Sequence, residues 1–210
     1  MAAMTQKLTT WPTPQGPLTL MSFCSPEQIN GLLMEDSFTR YARYSPIISR
    51  KESLLAATAL PDANVVLAVT PDSRIVGYAI LRYPFEDERW VRVGPQVMME
   101  VAVIEVNRQW RGVGMAKPLL GLLVDHPLQA SRIFYMVGYS WTWDLEGAGL
   151  TAGQYRQMMI RLFASQGFRT FQTNEPNVMM RPENLFMARV GANIGPEVEK
   201  RFKMVRFNLV

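Results

Sequence analysis

Apolar and polar positions follow two rhythms along this chain, and the rhythm decides the element. Residues 64–70 (NVVLAVT) and 75–83 (IVGYAILRY) are rich in β-branched and aromatic side chains, with Pro71, Asp72 and Ser73 between them. That spacing predicts a β-hairpin. Residues 97–106 are apolar at nearly every position, which predicts a strand covered on both faces. The helical rhythm is clearest over 152–165, where Tyr155, Met158, Met159, Leu162 and Phe163 form one stripe. Thr151 is placed to cap that helix, and Gly167 to end it in a left-handed turn.

Residues 115–124 predict a helix that begins near Gly114, because Pro118 fits only in a first turn. A strand over 132–137 (RIFYMV) follows. Strand, helix, strand implies a parallel pair, hence an α/β fold with a mixed sheet and helices on both faces. Upstream, Pro12, Pro14 and Pro17 mark residues 1–17 as an irregular arm. After it come a strand over 17–23, a helix opened by Ser25 and Pro26 that runs to Met34, and a second helix capped by Ser49. The aromatic and basic run 38–46 (FTRYARYSP) has no clear rhythm. Downstream, 84–95, 138–151 and 175–183 read as loops and 168–173 as a strand. Residues 185–190 and 202–210 close the chain, with a short helix at 196–202 between them. Residues 18–210 are expected to form a single domain.

Composition narrows the classes. A chain of 210 residues, 48% hydrophobic and 19% charged, can bury a core without disulfides or metals. Cys24 has no second cysteine to pair with and His126 is the only histidine, so no metal site is expected. The first thirty residues lack a secretory pattern, and the longest apolar runs fall well short of the ~20 residues that span a bilayer. Cytoplasm is the expected compartment. The net charge of +4 comes from seventeen Arg and five Lys set singly along the chain, without the basic run a nucleic-acid surface would show.

The chemistry concentrates after the strand at 97–106. There Arg111, Gly112, Val113, Gly114, Met115, Ala116 and Lys117 read R-x-x-G-x-A and open a helix. A pyrophosphate needs several backbone N–H groups to converge on it with no side chain in the way. The two glycines permit that approach, and a helix N-terminus adds the positive end of its dipole. Arg111 or Lys117 can supply a cation. Neither the dinucleotide fingerprint G-x-G-x-x-G nor a Gly-Lys-Ser/Thr P-loop is present.

The segment IEVNRQWRGVGMAKPLL resembles the signature of the GCN5-related N-acetyltransferase (GNAT) superfamily. WTWDLEGAGLTAGQYRQMMIRLFASQGF, NLFMARVG and RFKMVRF further resemble the acetoin-utilisation acetyltransferases of the AcuA type. The resemblance implies acetyl-CoA as co-substrate, with the backbone of Ile104 and Val106 pairing its pantetheine arm and 111–117 wrapping its pyrophosphate. It also implies a protein partner, AMP-forming acetyl-CoA synthetase, inactivated by acetylation of a lysine. Two rivals stay open: an acetyltransferase for small amines or peptide N-termini, and an acetyl-CoA-sensing regulatory subunit that does not catalyse.

Amine acetylation needs a base, since a lysine of pKa about 10.4 is protonated at neutral pH. Glu100 and Glu105 both interrupt apolar sequence, five positions apart and therefore on opposite faces of a regular strand. Counting back from Arg111, the resemblance places the base at Glu100. Either carboxylate can instead be structural, paired with Arg82 or Arg92. Where many superfamily members carry a tyrosine as general acid, this chain has Phe163; Tyr155 or Tyr139 are the candidate substitutes. Trp141, Trp143 and Asp144 are candidates for contact with the acceptor.

Overall fold

A computed structural model describes residues 4–35, 38, 41, 44 and 46–210. The aromatic and basic run 38–46 therefore lies largely outside the described residues. Nine strands and seven helices follow one another: β1 (Leu8–Trp11), β2 (Leu18–Met21), α1 (Pro26–Asn30), β3 (Leu33–Met34), α2 (Lys51–Thr58), β4 (Asn64–Val69), β5 (Arg74–Arg82), β6 (Met98–Val106) and α3 (Ala116–Val124) come first among the described residues. Then come β7 (Ile133–Gly138), α4 (Leu145–Ala148), α5 (Ala152–Ala164), β8 (Arg169–Thr170), α6 (Pro176–Met179), β9 (Leu185–Val190) and α7 (Pro196–Arg206). Contacts divide the chain into two compact units, Met1–Arg82 with Ala102–Pro127, and Tyr83–Val101 with Leu128–Val210. The first four residues of β6 belong to the second unit and its last five to the first.

In the first unit β1, β2, β4 and β5 pair antiparallel in that order, and β3 lies parallel to the start of β5. The predicted hairpin is present, with Ser73 at φ 64° in its turn and Asn64 opposite Leu81. The expected helix to Met34 stops at Asn30 instead. Gly31 N–H closes its last turn on Glu27, and Leu33 N–H then donates to Ser73 O, which recruits Leu33 and Met34 into a strand. Ser25 does cap α1, sharing a reciprocal box with Gln28. Arg50, not Ser49, is the N-cap of α2, and it makes no side-chain cap bond. Asn64, fully buried, donates from Nδ2 to the carbonyls of Leu122 and Leu123 (3.1 and 3.0 Å) and accepts from Phe23 N–H. These are carbonyls that a helix end leaves without partners, so one side chain ties α3 to β4. The core gathers Ile29, Leu54, Leu67, Ile75 and Tyr78 with Val103 of β6.

In the second unit β6 pairs parallel with β7 from Met98↔Ile133 to Glu100↔Tyr135, β7 pairs antiparallel with β9 along its length, and β8 adds to β9. The ladder between β6 and β7 stops at Glu100 while β7 continues to Gly138. Along β6, Val101 and Val103 are buried but Glu100, Ala102 and Ile104 are half-exposed. The expectation of cover on both faces is thus corrected: one face of β6 is open. Three expected loops contain short structure, a 3-10 turn at Arg89–Val93, α4 and α6. The strand expected over 168–173 shrinks to Arg169–Thr170.

The closing residues 202–210 extend the helix expected at 196–202. Helix α7 continues through them to Arg206, because Val198, Phe202 and Val205 fall on one helical face and meet the core. That core stacks Trp90 on Phe186 (centroids 4.5 Å apart) beside Tyr135 and Phe202. Burial of each large apolar side chain there contributes roughly 1.5–3 kcal/mol. Thr151 caps α5 in a box with Gln154, as its position predicts. In place of the irregular arm expected for residues 1–17, Leu8–Trp11 forms β1, an exposed edge strand.

Candidate functional site

Beyond β6 the chain turns on Asn107, whose side chain accepts from Gln109 N–H and whose own N–H donates to Val76 O. A 3-10 turn at Arg108–Trp110 leads into the glycine loop. Gly112 and Gly114 have φ of 81° and 75°, a left-handed region that costs an L side chain about 1–2 kcal/mol. Among the described residues, the N–H groups of Gly112, Val113, Gly114, Met115 and Ala116 meet no acceptor. Five donors free at the mouth of a helix fit an anionic pyrophosphate. Ile104 and Val106, on the β6 stretch before the loop, are half-exposed.

Arg111 does not serve the loop as a free cation. Its Nε donates to Val106 O at 2.9 Å and its Nη2 reaches Glu105 Oε1 at 3.0 Å, so it braces the end of β6. Lys117 is exposed and remains the cation beside the loop. Glu105 is thereby a paired carboxylate, its partner Arg111 rather than Arg82 or Arg92; its other oxygen accepts from Tyr44 Oη. Burial raises its carboxyl above the ordinary range, and Tyr44 and Arg111 oppose that rise. Arg92 donates to the Val210 backbone carbonyl and to the Asn208 side-chain Oδ1.

Glu100 stands in a different setting. In the second unit it lines an open groove of about 730 Å³ together with the acids Glu86, Asp87, Glu88 and Glu175, the arginines Arg89 and Arg92, and Tyr139 and Asn177, so that carboxylates outnumber guanidinium groups. Glu88 is held by Phe85 N–H (2.8 Å) and faces Tyr135 Oη at 3.3 Å; Glu175 caps α6 through Val178 N–H (2.6 Å). Burial, with the carboxylates of Glu175, Glu100 and Glu88, pushes the Tyr139 phenol up to about 12, while Asn177 opposes the rise. Tyr139 is therefore a protonated donor at neutral pH, in a groove whose charge is negative. A cation is what such a lining attracts.

The tryptophan segment does less than its sequence implied. Trp143 is 8% exposed and stacks on Tyr155 (5.1 Å, 17°), so both serve the packing of α5. Asp144 is 2% exposed and caps α4, accepting Gly147 N–H at 3.0 Å. Trp141 alone is open, 45% exposed, stacked on Tyr139 (4.9 Å, 6°) with the Arg181 guanidinium over its ring. Phe163 is buried against Phe168, a core contact. Sequence reasoning missed Tyr44, Glu88 and Glu175. The run Phe85–Arg89, with three acids in five residues, was a visible signal for the groove; Glu175 carried none.

No protein-family model matches the chain. It is 30% identical to the acetoin utilization protein AcuA of Bacillus licheniformis and 31% identical to that of Bacillus subtilis. Each match runs over 196 residues, 93% of this chain and 91% of the relative. The crystal structure of an acetoin utilization protein from Exiguobacterium sibiricum 255-15 superposes with a TM-score of 0.89 at 25% identity, over 99% of this chain and 97% of that one. Parallel and antiparallel strand pairs and a glycine loop at a helix mouth define the class, an α/β protein with a backbone cradle suited to an anion. Within that class, the chain belongs to the acetoin utilization protein AcuA family.

Proposed function

We propose that this protein acetylates a lysine side chain of another protein, AMP-forming acetyl-CoA synthetase, and so inactivates it. The observation that carries the reading is the acidic groove around Glu100. Five carboxylate residues (Glu86, Asp87, Glu88, Glu100 and Glu175) outweigh the two arginines of the lining, Arg89 and Arg92, so the groove suits an ammonium group better than an anionic acceptor. The surface near them is apolar. Phe85 is 57% exposed, Trp141 stacks on the lining residue Tyr139, and Met179 and Met180, each 68% exposed, follow Asn177 at the end of α6. A small amine has no use for such a surface, whereas a protein presenting a lysine does.

In this reading the co-substrate supplies the acetyl thioester, and the chain supplies everything else. Ile104, Val106 and the loop from Arg111 to Lys117 hold it through backbone donors, with Lys117 as the cation and Arg111 as the brace. Glu100 takes the proton from the incoming ammonium, since only the neutral amine attacks. Glu88 and Glu175 attract the charged lysine, and Tyr139 is a hydroxyl donor that lines the groove. Glu105 is assigned to structure, and Tyr155 to packing against Trp143. Cytoplasm is the compartment that fits, with a single buried free cysteine at Cys24.

The test is mass spectrometry of purified acetyl-CoA synthetase after incubation with this protein and acetyl-CoA. An acetyl-lysine accompanied by loss of synthetase activity is expected, and Glu100→Gln should lower the rate by roughly 10²–10⁴-fold with little change in co-substrate binding. Transfer to a small amine with none to the synthetase would remove the proposed acceptor. Full activity in Glu100→Gln would remove the proposed base.

A further inference from the structure

The glycine loop receives support from the N-terminal strand. A Cβ at Gly112 would have nothing within 4 Å, and at Gly114 its nearest contact would be Trp11 Cζ2, at 3.9 Å. Trp11, the last residue of β1, is half-buried, and its Nε1 donates to Val113 O at 3.3 Å. Val113 sits between the two left-handed glycines. A peptide unit is planar and trans, so anchoring the Val113 carbonyl sets the opposite direction for the Gly114 N–H. That N–H is one of the five donors without an acceptor.

Two further contacts come from the same region. Lys7, just before β1, pairs with Asp125, the residue that ends α3. Gln15 donates to Gln109 O at 3.3 Å from a turn that Thr13 closes on Gly16 O at 2.6 Å. From Lys7 to Trp11 an extended chain covers about 13 Å, and nine helical residues cover about 13.5 Å. The segment from Lys7 to Trp11 thus matches α3 in length, reaching Asp125 at the helix C-terminus and Val113 in the loop before its N-terminus.

We infer that Trp11 is a positioning residue for acetyl-CoA, holding the Val113–Gly114 peptide so that the Gly114 N–H stays in the pyrophosphate cradle. The inference rests on the reading of that loop as the cradle, and it makes co-substrate affinity depend on β1. Trp11→Phe keeps an aromatic ring and removes the donor; Trp11→Ala removes both. Three quantities decide: coenzyme A affinity by calorimetry, KM for acetyl-CoA against kcat, and ligand-free amide hydrogen exchange at Lys117 and Leu119, whose N–H groups donate to Gly114 O and Met115 O.

Trp11→Phe should weaken coenzyme A binding and raise KM for acetyl-CoA about 3- to 10-fold. Exchange at Lys117 and Leu119 should quicken, kcat should hold, and Trp11→Ala should show the larger effect. Wild-type affinity and exchange in both variants would overturn the assignment, as would a loss confined to kcat. Should Trp11→Ala fail to fold, Trp11→Phe decides alone. Absence of coenzyme A binding by the wild-type protein would overturn the cradle itself, an outcome separate from wild-type binding with unaffected variants.

Discussion

Replacing Gly112 by alanine isolates backbone strain from packing. Nothing lies within 4 Å of the added methyl, so no clash enters the result. What remains is φ at 81°, worth about 1–2 kcal/mol against an L residue. That energy has two places to appear. If the loop keeps its geometry, the folded protein carries the strain, and Tm falls by roughly 2–8 °C for a chain of this size. If the loop relaxes to negative φ, Tm is preserved but the donors of 112–116 no longer converge. Coenzyme A affinity then falls by a factor of roughly 5–30. Calorimetric titration beside a thermal melt reads both. Gly153→Ala is the control, a helical position with equal space and ordinary φ, expected to hold or raise Tm. Unchanged Tm and unchanged affinity in Gly112→Ala would refute the reasoning, because the strain would have gone nowhere.

Two other outcomes follow from the second unit. The Tyr139 phenol titrates at about 12, above its ordinary value near 10. The folded state therefore holds that proton more tightly than the unfolded one. Its contribution to stability is full below pH ~10 and lost as pH climbs toward 12. Ultraviolet titration of wild type against Tyr139→Phe should remove one phenol with that late midpoint; removal of one titrating near 10 would contradict the burial argument. At Gly191 a Cβ would lie 2.5 Å from Ala130 O and 2.7 Å from Arg132 O, both backbone atoms. Gly191→Ala is expected to cost about 1–3 kcal/mol and lower Tm by several degrees; a wild-type melt would show that the turn can move.

What sequence could reveal depended on distance along the chain. The hairpin at β4 and β5, the Thr151 cap and the glycine loop are local, each set by residues within about one turn of each other, and each was legible. Strand β3 was not, because it exists only where Ser73 and Ile75, forty residues on, offer carbonyls to Leu33 and Glu35. The helix expected to stop at Phe202 runs on to Arg206, because Val198, Phe202 and Val205 share one face at helical spacing. In the arm, Pro12, Pro14 and Pro17 concealed β1, although all three lie after Trp11 rather than within the strand. The groove could not be assembled from sequence, since Glu88, Glu100, Tyr139 and Glu175 come from four separate segments. Trp143 and Asp144 looked like acceptor contacts because spacing says nothing of which residue caps a helix and which fills a core.

The interleaving of the two units has a consequence for the nascent chain. Residues 83–101 emerge before the first unit has received 102–127, and long before Phe186 and Phe202 exist. Trp90 must then wait 96 residues for the ring on which it stacks. At about 5–20 residues per second, that is roughly 5–20 s on the ribosome with Trp90, Val93 and Met98 uncovered. Truncation anywhere before β9 removes both Phe186 and Phe202 and leaves the same surface bare for good. The late-arriving C-terminal third is therefore what keeps the acidic groove segment soluble, and slowed translation beyond residue 128 should lower yield more than the same delay placed earlier.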